Sequence, residues 1–273
     1  MIELHELHYT KAELATAPAS DRLFYLMATG LANDLQTLMK LLAIAVSKEC
    51  DDLIIKQGSS TVGMLMLRLL SGRLWEGRNL LKSAYEPIEV HYEADLGPEA
   101  RGALCELRTY FANRRNLIAS VRDKIGFHAE PGIVQRAFER LPDDADLGDY
   151  LCRTIGNMLY YSAELIHYEA INGFTGGHDQ PGSLRTLVDD VQRLVILFNT
   201  FIYGFAAVFL ERHLNRQLND MRDRITRLEG VPHFDDLKLP FFTELPPDEP
   251  LRKRQLGLSC SGTAVAAAPV GKN

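Results

Sequence analysis

The chain has 273 residues, 46% of them apolar and 24% charged, with a formal net charge of −6. That length buries one or two cores, and the balance is ordinary for a soluble globular protein. A net acidic chain is poorly suited to coating nucleic acid without sequence preference, which needs many phosphate-neutralising cations, but a small basic site stays open.

Up to residue 230 Gly and Pro are sparse and the apolar spacing is helical rather than alternating. Residues 1–20 read as an irregular N-terminal segment without the basic, apolar pattern of a targeting sequence. Ser20 and Asp21 can cap a helix that starts at Arg22 and runs to about Gln57, with Leu31, Leu35, Leu38, Leu42 and Ala45 on one face. "GSS" at 58–60 reads as a break. A second helix follows from Thr61 to about Tyr92, with Leu65, Leu69, Leu70 and Leu74 on its apolar side and a kink or early end at Pro87.

The third helix is expected from Pro98, a first-turn residue, to Lys124, with Gly126 just past its end. A linker follows, then a fourth helix from about Asp146 to Ile171, a loop at 172–183, and a fifth helix from Leu184 to about Leu228, bent near Gly204. Residues 194–210 carry no charge, at the short edge of a membrane span, but Asn199, Thr200 and Gly204 dilute the run and point to a buried central helix. After Gly230 the chain turns proline-rich and then low in complexity, which predicts a disordered tail at 231–273. The expected fold is all-α: a single-domain bundle of about five long helices over 21–230.

Cys50, Cys105, Cys152 and Cys260 are scattered without paired spacing, which predicts reduced thiols in a cytoplasmic protein, three of them small core residues. Trp75, the sole tryptophan, is also expected in the core. His5 and His8 form an i, i+3 pair with nothing nearby to complete a metal site. Glu164 and His167 form the one E-x-x-H pair. A di-metal helical-bundle oxidase needs two such pairs and two further glutamates, so that reading is half-supplied. Neither a metal nor another cofactor is expected.

The third helix carries the chemistry. Leu104, Leu107, Phe111, Ile118, Val121 and Ile125 form its apolar stripe, with Arg114 at the missing stripe position. Arg101, Arg108, Arg115 and Arg122 recur every seven residues and would form a row beside that stripe. Spacing alone favours a solvated flank paired with acids of other helices. The sharper reading is a polyanion track of Arg101, Arg108, Arg114, Arg115 and Lys124 that leads to Arg122. At its end "VRDKIGFH" places Arg122 and His128 either side of Gly126, where a turn can bring them together. A near-neutral imidazole moves protons at pH 7, and a guanidinium holds a phosphate by two bonds. The plain alternative for His128 is a helix-end histidine bonded to a backbone carbonyl.

An arginine, a polar residue and a histidine a few residues on, at the end of a long helix in an all-α bundle, resembles the HEPN superfamily. Arg122, Asp123 and His128 occupy the motif positions. The resemblance implies a metal-independent endoribonuclease with Arg122 and His128 catalytic, Asp123 in support and RNA as substrate. It also implies a homodimer that places two motifs in one cleft, and a toxin–antitoxin or defence role with an antitoxin or other regulatory protein as partner. The alternative is a non-catalytic helical interaction or nucleotide-binding protein. A membrane partner is not expected.

Overall fold

A computed structural model describes residues 2–46, 51–126, 130–152, 156–177, 179–214 and 222–244. In chain order these form β1 (Ile2–Leu7), α1 (Lys11–Leu14), α2 (Ala19–Val46), α3 (Leu53–Ser83), α4 (Tyr85–His91), α5 (Pro98–Ala112) and α6 (Leu117–Val121). A turn of π-helix (Arg122–Gly126), α7 (Pro131–Arg140), α8 (Tyr161–Thr175), α9 (Gln180–Leu214), β2 (Arg222–Leu228) and a 3₁₀ turn (Phe234–Asp236) follow.

The architecture is an all-α bundle built around α9. This helix is long and apolar enough to cross a membrane by length and composition. In the fold it is packed by α2, α3, α5, α6 and α8. Phe198, Phe201, Phe205 and Phe209 are almost wholly buried and lie one helical turn apart. Phe205 meets the edges of Phe24 (4.8 Å between centroids) and Tyr92 (4.9 Å), while Phe209 stacks on Tyr25 (4.4 Å). Each such ring contributes roughly 1.5–3 kcal/mol by burial. The helix continues unbroken through Gly204, where a bend was expected. A Cβ there would lie 2.4 Å from that of Ala100, so the glycine lets α5 press directly onto α9.

Several expected boundaries move. Helix α2 is described from Ala19 to Val46, and Asp52 starts α3 by accepting the Ile55 amide at 3.0 Å. "GSS" therefore lies inside α3, not at a break. Gly58 is buried, and a Cβ there would come within 2.9 Å of Phe241. The buried face of α3 runs through Met64, Leu67, Leu70, Leu74 and Gly77, whereas Leu65 is exposed. The chain breaks at Ala84, three residues before Pro87. Asp21 does not cap α2. It is buried in the first turn, where Ser20 (2.8 Å) and the Tyr92 hydroxyl (2.6 Å) donate to it.

The fourth helix begins only at Tyr161. Upstream of it, Tyr150 and Leu159 pair as an isolated bridge. The expected linker contains α7, clamped to α8 by Arg140, which donates to the Glu169 carboxylate (2.7 Å) and backbone carbonyl (2.8 Å). Residues 222–228 are a strand, not the end of the fifth helix. Together with β1, inside the segment expected to be irregular, they form a two-stranded antiparallel ladder. An isolated pair is marginal in water. Here Leu7 packs on the core, and Arg227 donates to Glu3 at 2.9 Å.

Within the expected tail, Phe241 and Phe242 seat against Gly58. The Thr243 amide and carbonyl bond the Asn157 side chain at 2.9 and 2.6 Å. Residues 245–273 lie outside the described set. Cys105 and Cys152 are exposed, contrary to a core role, while Cys50 and Cys260 lie outside the described residues. Trp75 is half-buried against the core, with the Arg78 guanidinium 4.5 Å above its ring.

Candidate functional site

The expected third helix is two helices. Asn113 has extended backbone and accepts the Arg115 amide at 3.0 Å, and Asn116 caps α6 by accepting the Ala119 amide at 2.8 Å. Asn side chains compete with the helix for backbone groups, and two of them in four residues open it here. All six expected stripe residues are still buried: Leu104, Leu107 and Phe111 on α5, Ile118 and Val121 on α6, and Ile125 on the π turn.

The arginine row is not continuous. Arg101 donates to the carbonyls of Ala94 (2.9 Å) and Leu96 (3.0 Å), and Arg108 donates to both oxygens of Glu93 (2.8 and 3.1 Å). Both fasten the chain leading into α5 to that helix. Arg114 and Arg115 lie exposed in the break between α5 and α6. Lys124 pairs with the Glu130 carboxylate, and the Glu130 amide donates to the Lys124 carbonyl at 3.1 Å. These residues are spread over α5, the break after it and the π turn, rather than along one continuous helix.

Arg122 opens the π turn. Its Nη1 donates to Asp123 Oδ1 at 2.6 Å and its Nη2 stands 4.0 Å from Glu76 Oε1 on α3. About a third of the side chain stays open to solvent. Gly126 is not in the left-handed region expected of a helix-ending glycine. Its lack of a side chain serves close packing: a Cβ would lie 3.1 Å from the Val121 carbonyl oxygen and 3.8 Å from that of Arg68. His128 lies outside the described residues.

A second charged cluster joins α3 to α8. Arg68 places Nη1 3.3 Å from His167 Nδ1 and Nη2 3.6 Å from Glu164 Oε1, and Glu164 Oε2 is 3.5 Å from His167 Nδ1. All three side chains are less than a fifth exposed. Burial pushes the nearby Tyr168 and Tyr161 hydroxyls above the ordinary tyrosine range, so both stay protonated donors. The E-x-x-H pair thus faces a guanidinium, whose charge repels a metal cation from the same place. Among the described residues no group of three or more His, Cys, Asp or Glu is placed to hold a metal. The E-x-x-H spacing was visible in the sequence; its partner, an arginine nearly a hundred residues away on the apolar-looking α3, carried no local signal.

At the far end of the bundle Tyr92, buried between α2 and α9, donates to Asp21, and His213 Nε2 is 3.0 Å from its hydroxyl. Burial holds His213 below its ordinary range, assisted by Arg212 and opposed by Asp21. No family model matches the chain, and no curated protein or solved structure is significantly similar to it.

Proposed function

We propose that the protein is a metal-independent endoribonuclease of HEPN type, with Arg122 as its phosphate-binding group and His128 as its proton-transfer group. The observation that carries this reading is the π turn. A single π-helical turn is an unfavourable departure from the α-helix and recurs at functional sites. Here it presents a partly exposed guanidinium held by Asp123. In the reaction the ribose 2′ oxygen attacks phosphorus and the 5′ oxygen leaves, giving a 2′,3′-cyclic phosphate. An imidazole takes the 2′-hydroxyl proton or protonates the leaving oxygen, and the guanidinium offsets charge that develops on the phosphoryl oxygens. One imidazole per chain supplies one of these two roles, so two chains in one cleft supply both. Such an activity would suit a toxin or defence effector restrained by a partner protein.

The test is labelled RNA incubated with the protein in EDTA. The reading expects cleavage by the wild type that leaves cyclic phosphate ends, and loss of it in both Arg122→Ala and His128→Ala. Intact RNA with the wild type, together with unchanged RNA binding and cellular toxicity in Arg122→Ala, refutes it.

A different observation supports a non-catalytic interaction protein. Leu23, Leu26 and Met27 on α2 and Ile196 and Tyr203 on α9 are all at least half exposed, apolar side chains of the kind that helical interfaces cover. That reading expects His128→Ala to leave every property unchanged and Met27→Glu to change the oligomeric state.

A further inference from the structure

Helix α5 packs on α9 and leaves a cleft of about 310 Å³ between itself, the C-terminal half of α3 and α4. Leu104, Leu107 and Phe111 of α5 form one wall, and Leu81 and Ile88 form the other. Three cationic side chains, Arg78, Lys82 and Arg108, also line it. Glu93 is paired with Arg108, so the described side chains here still carry an excess of positive charge in a chain that is acidic overall.

We propose that this cleft binds a small amphipathic anion: an acyl or aryl group of about eight to ten non-hydrogen atoms ending in a carboxylate or phosphate. Apolar walls with a few placed polar groups are the usual make-up of a small-molecule site, and this volume lies at the small end of that range. At about 30 Å³ per water-sized group it holds roughly ten such groups. The cations select the head. A guanidinium and an ammonium together bind an oxyanion by charge-assisted hydrogen bonds, and both repel an amine. Arg78 is steadied for this task by its stacking on Trp75 and its bond to the Asn79 side chain at 3.1 Å. The site is separate from the π turn and does not depend on ribonuclease activity.

The protein carries its own reporter. Trp75, its sole tryptophan, contacts two lining residues: Arg78 sits over its ring, and the Phe111 centroid is 6.4 Å away. Full-length protein is titrated with octanoate, octyl phosphate, octanol and octylammonium, following Trp75 fluorescence and calorimetric heat. The expected result is saturable binding of one or both anions and at least about tenfold weaker binding of the alcohol and the amine. The preferred anion tells a carboxylate ligand from a phosphate ligand. Lys82→Glu weakens anion binding by about tenfold, and Ala112→Phe, at the exposed edge of the cleft, removes the fluorescence response. No saturable heat with either anion, or octanol binding as tightly as octanoate, overturns the proposal on wild-type protein alone.

Discussion

Two stretches of one expected helix have different fates. In α5 the arginines serve the fold: Arg101 and Arg108 are tied to backbone carbonyls and to Glu93, and the helix presses onto α9 through Gly204. In α6 and the π turn the apolar residues are as deeply buried, yet Arg122 is held, among the described residues, by an adjacent carboxylate and a distant one, and stays partly open to solvent. Equal sequence spacing therefore did not mean equal roles. What separates them is what surrounds each guanidinium: the chain leading into α5 in one case, a helical irregularity beside α3 in the other.

Four perturbations break or sharpen this contrast. The largest effect is expected from Leu107→Ala on the buried face of α5, which should cost about 2–5 kcal/mol in chemical denaturation, because Leu107 is wholly buried against the core. Next, Gly204→Val should cost about 1–3 kcal/mol by forcing α5 from α9, with Gly204→Ala intermediate. A third change moves to the π turn. Gly126→Ala should lower stability by about 1 kcal/mol, since its Cβ meets the Val121 carbonyl at 3.1 Å, but should reduce RNA cleavage far more than stability. If stability and cleavage fall in proportion, the turn is a structural feature only.

The smallest effect is a pH dependence at the end of α9. Burial favours neutral His213 in the fold relative to an unfolded value near 6.5. The unfolded chain therefore takes up more protons as pH falls, so this contribution is fully present above about pH 6.5 and weakens below it. Melting temperature should decline between pH 7.5 and 5.5, and His213→Asn should flatten part of that slope. An equal slope in the variant would remove His213 from the account.

The apolar stripe of the third helix was legible from the sequence, and so was the all-α class. The stripe ran through Ile118, Val121 and Ile125 despite the break, because burial depends on period and both helices keep it. The gap in the stripe at Arg114 marked where the helix opens. The two flanking asparagines that open it carried a signal too, but one that competes with strong helix formers nearby. Gly58 looked like a breaker because nothing local announced that Phe241 would need its missing side chain. The β1–β2 ladder was hidden for a related reason: each strand is short and charged, and its partner is more than two hundred residues away. Of the candidate site, Arg122 and Asp123 could be named from the motif. The π turn that holds them, and the Arg68–Glu164–His167 cluster, depend on contacts between distant segments.

The most direct measurement compares Arg122→Ala with Arg108→Ala in one assay of RNA cleavage in EDTA, with melting temperature read beside it. The account predicts that Arg122→Ala abolishes cleavage at unchanged melting temperature. It predicts that Arg108→Ala cleaves as the wild type does and loses roughly 1–3 kcal/mol of stability, as befits a mostly buried, doubly hydrogen-bonded ion pair. Equal cleavage by both variants, or by neither variant nor the wild type, would contradict it.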